Sequence, residues 1–202
     1  MKPTFYIDLD RTLFHTDRIA ELFPVLERLY PENTALRNGF ASREQYFVFP
    51  HVKDGDIKTY YYDLARQLRE AGLDLDKTFD ALRTELGDGR FEYEGARELM
   101  RALRTYGSVK ILTYGEDVYQ KFKASLCPSL RGLEVITTVK PKVEYLNDCC
   151  VAGDWIVDDK IIDGLAPGIR AVHIQHDRMK LADVHSLHEA GSFIMQGLAS
   201  DS

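Results

Sequence analysis

The stretch TFYIDLDRT, residues 4–12, decides the fold of this 202-residue chain. Its apolar run Phe5–Ile7 predicts a buried strand. Asp8 and Asp10 follow directly, and because adjacent acidic groups are unfavourable inside a sheet, we expect them where the strand ends. In α/β proteins the carboxyl ends of parallel strands open onto the ligand crevice. The stretch therefore predicts a parallel sheet with chemistry at the end of its first strand.

Two other structures could account for these aspartates. An Asx-type turn after a strand uses the same residue types and stays open at this point. A calcium-binding loop that began at Asp8 would need glycine at its sixth position and glutamate at its twelfth. The chain has Leu13 and Ile19 there, so the calcium loop is excluded. The choice between a turn and a reactive site depends on the rest of the chain.

The composition argues against several classes of function. Apolar residues make up 45% of the chain and charged residues 29%, as in ordinary globular proteins. The formal net charge of −6 argues against binding of a nucleic-acid polymer, which needs a basic face. The three cysteines form neither a disulfide framework nor a zinc pattern, which favours a reducing compartment. No apolar run approaches the roughly 18 residues of a membrane span, and a strand that begins at residue 4 leaves no room for a signal peptide, so we expect a cytoplasmic protein.

The second half of the chain alternates strand and helix patterns, which is typical of βαβ units and a parallel sheet. The predicted strands are Val109–Thr113, Leu133–Val139, Trp155–Val157 and Ile169–Gln175. The predicted helices between them are Glu94–Tyr106, Asp117–Leu126 and Pro141–Asp148. We therefore predict an α/β fold with a Rossmann-like parallel sheet.

A long segment with a different character separates the first strand from the others. Its periodicity is mainly helical, and the predicted helices are Ile19–Tyr30, Ile57–Ala71 and Leu75–Leu86. Such a segment is too long for a loop of a compact domain. We therefore predict a catalytic core formed by residues 1–13 and 91–202, with a helical cap, residues 14–90, folded over its mouth.

Residues suited to phosphoryl chemistry also stand at the ends of the later strands. Thr113 ends the second strand, Lys140 follows the third, and Asp158 and Asp159 follow the fourth. Each has an ordinary explanation when taken alone: a cap, a solvated charge or a turn. Their occurrence in this order, each at the carboxyl end of its strand, indicates a common site.

These residues make the chain resemble the haloacid dehalogenase (HAD) superfamily of phosphohydrolases over nearly its whole length. The first motif of that family, an apolar strand followed by DxDxT, is matched by Asp8, Asp10 and Thr12. The second, an apolar strand that ends in threonine or serine, is matched by Thr113. The resemblance implies the strand order 5-4-1-2-3 with the strand of Asp8 in the centre, and a helical cap of the first type.

The third and fourth motifs of the family leave some choice in this chain. The third is a lysine often followed by proline, which Lys140 fits better than Lys142. The fourth is an acidic pair after a strand, matched by Asp158 and Asp159. A rival alignment pairs Asp154 with Asp158, and we prefer the first because residues 155–157 supply the preceding strand.

The chemistry of these residue types suggests roles for the four acids. Asp8 is the candidate nucleophile, which would form an aspartyl-phosphate. Asp10 would protonate the leaving oxygen and then take a proton from water. Carboxylates about 4 Å apart repel by roughly 4 kcal/mol at an effective dielectric of 20, so the group needs a cation. We expect Mg²⁺, held by the Asp8 side chain, by the backbone carbonyl of Asp10 and by Asp158, with Asp159 binding it directly or through water.

The remaining candidates would bind the phosphoryl group or the substrate. Lys140 would neutralise the aspartyl-phosphate and orient Asp8. The hydroxyl of Thr113, with a nearby backbone N–H, would hold a phosphoryl oxygen. The predicted substrate-binding residues are Thr12, His15, Tyr114 and Gly115.

The sequence thus predicts a Mg²⁺-dependent hydrolase of a small phosphorylated metabolite. Within the family an acid at the position of Asp10 is typical of phosphatases and phosphomutases, whereas dehalogenases lack it because halide needs no proton. A phosphomutase with the same motifs, and a catalytically idle binding or regulatory module, are the alternatives. We expect no nucleic-acid or membrane partner, and the sequence carries no signal for the oligomeric state.

Overall fold

A computed structural model of the protein describes residues 2–49, 52–53, 56–57 and 60–200. In chain order its strands are β1 (Thr4–Ile7), β2 (Phe47–Val48), β3 (Val52–Lys53), β4 (Asp56–Ile57), β5 (Tyr61–Tyr62), β6 (Ser108–Tyr114), β7 (Glu134–Thr138), β8 (Trp155–Asp158) and β9 (Arg170–His173). Its helices are α1 (Leu22–Leu29), α2 (Thr34–Ala41), α3 (Leu64–Glu70), α4 (Leu75–Leu86), α5 (Ala96–Tyr106), α6 (Asp117–Ser125), α7 (Lys142–Cys149) and α8 (Leu187–Ser200). Within the described ranges, none of these helices has both the length and the apolar character that a membrane crossing requires.

A five-stranded parallel sheet forms the centre of the molecule, in the order β7-β6-β1-β8-β9. If these five strands are renumbered 1 to 5 along the chain, the order read from β9 to β7 is 5-4-1-2-3. This is the predicted order, with β1 in the middle. Ile7, the last residue of β1, pairs with Ile111 of β6 and Val157 of β8, and β8 ends one residue beyond this level while β6 ends three residues beyond it. The α/β prediction and the strand order are confirmed.

Both faces of the sheet are covered by helices that turn apolar residues toward it. Phe5 and Ile7 belong to one buried cluster with residues of α5 and α8, whereas Tyr6 and Ile156 belong to another with Leu146 of α7. Because successive residues of a strand point to opposite faces, a strand covered on both sides is apolar throughout. This explains the unbroken apolar run before Asp8. The helix α8, which covers the first of these faces, was not predicted.

A glycine allows β6 to lie against the start of β1. Gly107 joins α5 to β6, and the N–H of Ser108 donates to the carbonyl of Pro3 at 3.1 Å. A Cβ atom at residue 107 would lie 1.9 Å from that carbonyl oxygen. Only glycine therefore permits this close approach of the two backbones.

The insertion, residues 14–90, contains α1 to α4 and two small antiparallel ladders, β2 with β5 and β3 with β4. The predicted helix over Leu75–Leu86 is confirmed, while α2 was missed. The helix predicted from Ile57 begins only at Leu64, where Asp63 caps it by accepting from the N–H of Arg66 at 2.8 Å. That prediction was wrong at its start: Ile57 lies in β4, Tyr61 and Tyr62 form β5, and residues 58–59 lie outside the described residues.

The insertion joins the rest of the chain through two segments that lie side by side. The N–H of His15 donates to the carbonyl of Phe91 at 2.7 Å, and the N–H of Tyr93 donates to the carbonyl of Leu13 at 2.9 Å. The outgoing and returning chains are thus bonded to each other directly after the first motif. The division into a core and a cap stays a prediction, and it places both boundaries in these segments.

Candidate active site

Asp8 lies at the carboxyl end of the central strand and is only 3% exposed. Its N–H donates to the carbonyl of Val157 at 2.9 Å, which continues the ladder between β1 and β8 by one residue. Its Oδ2 accepts a hydrogen bond from the hydroxyl of Thr12 at 3.2 Å. The carboxylate is therefore held by the sheet edge below it and by the loop that follows it.

The loop after Asp8 turns back tightly. The carbonyl of Leu9 accepts from the N–H groups of both Leu13, at 2.9 Å, and Phe14, at 2.8 Å. Arg11 has the left-handed backbone, with φ of 62°, that non-glycine residues adopt only rarely. This turn places Thr12 over Asp8. Thr12 is itself fully buried, so the structure makes it a support for Asp8 rather than the predicted substrate contact.

Three carboxylates meet at this edge of the sheet. One oxygen from each of Asp8, Asp158 and Asp159 lies within 4.8 Å of the others. Asp158 ends β8, the neighbour of β1, and is as buried as Asp8. A small cluster of carboxylate oxygens is the ligand type that Mg²⁺ prefers in proteins. The donor set therefore fits the predicted cation.

The lysine at this site is Lys142, and the prediction of Lys140 was wrong. The Nζ atom of Lys142 lies 2.5 Å from Oδ1 of Asp8 and 2.6 Å from Oδ2 of Asp158. Lys140 is exposed, and its backbone N–H and carbonyl both bond the Thr138 hydroxyl. Lys142 is the first residue of α7, and helical side chains tilt toward the helix N-terminus. That end of α7 adjoins the carboxyl edge of the sheet, where Asp8 and Asp158 lie.

The shared lysine leaves an excess of negative charge around Asp8. Burial raises the pKa of Asp8 well above its usual range, Lys142 opposes this shift, and the carboxylates of Asp158 and Asp159 add to it. Burial favours the neutral amine of Lys142, but Asp158 and Asp8 outweigh this effect and raise its pKa. Burial is thus the main cause of the raised pKa of Asp8, and one ammonium shared between two carboxylates offsets it only in part.

Asp10 has a lysine of its own, which the sequence analysis missed. The Nζ atom of Lys123 lies 2.7 Å from Oδ1 and 2.5 Å from Oδ2 of Asp10, and the hydroxyl of Thr16 donates to Oδ1 at 2.8 Å. Although burial alone would raise the pKa of Asp10, Lys123 and Thr16 lower it. The sequence did contain a sign of this contact. Lys123 stands four residues after Tyr119, so both lie on the same face of α6, and a lysine on a buried helix face needs an acidic partner.

The charges of this group do not cancel. Asp8, Asp10, Asp158 and Asp159 carry four negative charges when ionised, and the ammonium groups of Lys123 and Lys142 carry two positive ones. The difference of two negative charges equals the charge of one divalent cation. This balance is a second reason why the site fits Mg²⁺.

The second motif is positioned by a glutamine of α6. Thr113 is fully buried, and its hydroxyl donates to Oε1 of Gln120 at 3.2 Å. Gln120 in turn donates to the carbonyl of Tyr114 at 2.7 Å. Gly115 was predicted to contact substrate, but its N–H donates to the carbonyl of Thr138 at 3.0 Å. That donor is used by the sheet, so Gly115 is corrected to a structural residue, while Tyr114 lines the cavity described below.

Two other candidates lie away from the carboxylates. The ring of His15 lies against Tyr93, with centroids 3.5 Å apart, and Tyr93 stacks on His176 at 3.7 Å. His15 therefore faces a separate depression, and its predicted substrate role was wrong. Asp154 precedes β8 and accepts from the N–H groups of Thr4, at 2.7 Å, and Val151, at 3.0 Å, so the rival alignment is excluded.

A cavity of about 900 Å³ opens above the carboxylates. Its floor includes Asp8, Asp10, Asp158 and Asp159, together with Lys123 and Lys142. Its walls come from both sides: the insertion contributes residues of α1 and β5, and the sheet side contributes residues of β6, α6 and α7. The size is within the range of roughly 300–1,000 Å³ that is usual for small-molecule sites.

Comparison with solved structures shows the same fold. A haloacid dehalogenase-like hydrolase of Burkholderia xenovorans aligns over 98% of each chain with 19% identity and a TM-score of 0.60. The HAD-hydrolase YfnB of Bacillus subtilis, solved with bound magnesium, aligns over 96% of this chain and 98% of its own, with 15% identity and a TM-score of 0.51. No protein-family model and no curated protein matches the sequence. These likenesses show a fold like that of the HAD-like hydrolases.

Proposed function

We propose that this chain, which has the HAD-like hydrolase fold, is a Mg²⁺-dependent phosphomonoester hydrolase that works through an aspartyl-phosphate on a small phosphorylated metabolite. One observation carries the proposal: Asp8 is buried at the end of the central strand, with Asp158 and Asp159 within reach of one shared cation and Lys142 on its carboxylate. A carboxylate in these surroundings can approach a phosphate, because the cations offset the charge of both groups.

Asp10 is the residue that favours a phosphate ester over a haloacid as substrate. Halide leaves as a stable anion and needs no proton, whereas an alkoxide that leaves phosphorus needs one. Asp10 follows Asp8 by two residues and lines the same cavity. An acid–base group at this place is useful to a phosphatase and of no use to a dehalogenase.

The proposed reaction has two steps. In the first, a carboxylate oxygen of Asp8 bonds to phosphorus, the bond from phosphorus to the ester oxygen breaks, and that oxygen takes a proton from Asp10. In the second, a water oxygen bonds to phosphorus while Asp10 takes its proton, and the bond from phosphorus to Asp8 breaks. Phosphate leaves, and both aspartates regain their starting forms.

Lys123 decides which of these roles Asp10 can perform at a given moment. With Lys123 on both of its oxygens, Asp10 is held as the anion and its pKa is lowered. The anion is the form that takes a proton from water in the second step. To act as the acid of the first step, Asp10 must move away from Lys123 and be protonated.

The other residues hold the reacting groups in place. The carboxylates of Asp8, Asp158 and Asp159 and the backbone carbonyl of Asp10 would bind Mg²⁺, which when bound supplies positive charge to the phosphoryl oxygens. Lys142 orients one oxygen of Asp8, and Thr12 fixes the other. The nucleophile, Asp8, is thus held in position by Lys142 and Thr12 before the substrate binds. This lowers the entropy cost of the reaction.

The insertion acts in this proposal as a cap. Residues of the insertion and of the sheet side both line the cavity, so a substrate bound there would be partly shielded from water. The paired segments around His15 and Tyr93 are the place where the cap could turn. Closure would protect the aspartyl-phosphate until the hydrolytic water is admitted.

The experiment that tests the function measures phosphate release from a panel of phosphomonoesters, with Mg²⁺ and with EDTA, by wild type and by Asp8→Asn. We expect release that requires Mg²⁺ and that falls to background in the variant, because an amide is not a nucleophile toward phosphorus. Asp76→Asn, a change of the same kind on an exposed turn of α4, is the control and should keep the wild-type rate.

Release that persists in Asp8→Asn would remove Asp8 as the nucleophile. If no ester releases phosphate but a bisphosphate primes isomerisation of a sugar phosphate, the phosphomutase alternative is correct. Inactivity in both assays would support the remaining alternative, a catalytically idle binding or regulatory module.

A further inference from the structure

The cavity above the carboxylates has a wall of aromatic rings, which we call the aromatic wall. It consists of Phe23, Phe47, Tyr61 and Tyr62 from the insertion and Tyr114 and Tyr119 from the sheet side. All six line the same cavity as Asp8 and Asp10. All but Tyr119 are only partly buried, so their rings present area to the cavity.

The rings of the aromatic wall support one another mostly edge to face. The centroids of Phe23 and Tyr62 are 6.1 Å apart with their planes at 88°, and those of Phe47 and Tyr62 are 5.3 Å apart at 52°. Tyr61 of the insertion also contacts Tyr114 of β6, with centroids 6.0 Å apart and planes at 70°. Aromatic pairs in such arrangements are held by their own geometry. The wall is therefore ordered before a ligand binds.

Several of the polar groups near these rings are engaged with other protein groups or exposed to solvent. The hydroxyl of Tyr62 donates to Gln67 within the insertion. Arg43 and Glu44 line the cavity but are exposed and of opposite charge. The leaving group of a sugar phosphate would need several donors and acceptors to replace its bonds to water. The aromatic wall offers mainly carbon surface instead.

From this arrangement we infer that the substrate carries an aromatic ring on the ester oxygen of its phosphate. The inference rests on the proposed function, because it places the phosphate on Asp8 and directs the rest of the molecule to the aromatic wall. The cavity of about 900 Å³ holds a phosphate together with one or two rings. Ring stacking and edge contacts with Phe47 and Tyr61 would then select the substrate.

The test is calorimetric titration of the Mg²⁺-loaded wild type with benzylphosphonate, cyclohexylmethylphosphonate and methylphosphonate. A phosphonate has a carbon in place of the ester oxygen and is not hydrolysed, so affinity is read independently of turnover. We expect benzylphosphonate to bind about 10- to 100-fold more tightly than methylphosphonate, as burial of one ring predicts. It should also bind about 3- to 10-fold more tightly than the cyclohexylmethyl compound, which has similar size but no aromatic ring.

Variants of the aromatic wall locate the effect. Phe47→Leu and Tyr61→Leu should each reduce the preference for benzylphosphonate over methylphosphonate by about 3- to 10-fold, while affinity for methylphosphonate stays unchanged. Tyr106→Leu is the matched control, because Tyr106 ends α5 outside the cavity, and it should bind like wild type.

The failure of this inference and the failure of the proposed function give different results. If benzylphosphonate binds no more tightly than cyclohexylmethylphosphonate, or if none of the three binds, the inference is overturned, whatever the phosphate-release assay gives. If the preference for benzylphosphonate is found but no ester is hydrolysed, the ligand class stands and the hydrolase proposal fails.

Discussion

Two buried aspartates at opposite ends of β8 have different surroundings. Asp154 stands before the strand at the amino edge of the sheet, Asp158 ends it at the carboxyl edge, and each is 3% exposed. Asp154 accepts hydrogen bonds from the backbone N–H groups of Thr4 and Val151. Asp158 accepts one backbone hydrogen bond, from the N–H of Lys160 at 2.9 Å, but its other oxygen lies 2.6 Å from the ammonium of Lys142, with the carboxylate of Asp8 close by.

The difference shows that an aspartate can be satisfied by the backbone at one edge of the sheet and be placed among other charges at the opposite edge. Backbone donors satisfy Asp154 without bringing another charge, so it ties the start of β1 to the start of β8. At Asp158, two carboxylates share one lysine, and the remaining negative charge would be balanced by a bound cation or by a proton on Asp8, whose pKa is raised. We therefore expect changes at the carboxyl edge to alter activity and metal response, and changes at the amino edge to alter stability alone.

The largest expected effect separates the two lysines near the third motif. Lys142→Met should lower the rate of phosphate release by about 10²- to 10³-fold, because it removes a positive charge placed where negative charge develops. Lys140→Met should stay within about twofold of wild type, since Lys140 is exposed. Steady-state kinetics of the two variants decides this. If Lys140→Met were the slow variant and Lys142→Met kept the wild-type rate, Lys140 would be the lysine of the third motif after all.

Removal of Lys123 should give the largest loss of stability. Lys123→Met leaves the Asp10 carboxylate without its counter-charge at the floor of the cavity and should lower the free energy of unfolding by about 2–3 kcal/mol, somewhat less than for a fully buried pair because the Asp10 side chain is 27% exposed. Urea unfolding without metal measures this loss. Lys121→Met, which breaks an exposed pair with Asp117 on the same helix, should lose at most about 0.5 kcal/mol.

A double variant checks the cause. Lys123→Met combined with Asp10→Asn should recover most of the lost stability, because no unpaired charge remains. A double variant as unstable as Lys123→Met alone would mean that packing of the lysine stem, rather than its charge, is what matters.

Metal should stabilise the protein through the carboxyl edge only. At about 100 times its dissociation constant, Mg²⁺ should raise the free energy of unfolding by about 2.7 kcal/mol. The same increment is expected in Asp154→Asn, while Asp158→Asn should lose most of it. Thermal unfolding with and without Mg²⁺ gives the comparison. An increment kept in Asp158→Asn would place the cation elsewhere.

The smallest effect concerns the two aspartates in the absence of metal. Asp154→Asn should destabilise the protein by about 1–2 kcal/mol, because an amide nitrogen would face one of the backbone N–H groups. Asp158→Asn should change stability by less than about 1 kcal/mol, since the lost attraction to Lys142 is offset by relief of repulsion from Asp8. Equal losses in both variants would mean that the two edges do not differ in the way proposed.

Much of the fold could be predicted because its signals are local. An apolar run that ends in acids, and strands that alternate with helices, point to a parallel sheet whatever the remaining details. The same reasoning predicted that Asp8, Asp158 and Asp159 lie together at the carboxyl edge of the sheet, and the structure places them there. The insertion was harder to predict, because short strands such as β5 owe their form to pairing with β2 rather than to their own residues.

The lysines show where prediction from sequence ends. Proline after Lys140 suggested that residue, but the start of α7 at Lys142 decides which side chain reaches back over the sheet. Lys123 gave only a weak signal, since a lysine on a buried helix face is informative only when its partner is known. That partner, Asp10, is 113 residues away in the chain.

The sequence by itself determined the parallel sheet and the acids at its carboxyl edge, because each follows from neighbours within a few residues. The strand order was implied by the resemblance to the HAD superfamily. Only the tertiary structure decided which lysines meet those acids, which hydrogen-bond donors the sheet already uses, and which rings line the cavity. Those contacts join residues far apart in the chain, and their geometry depends on the angles at which helices pack on the sheet.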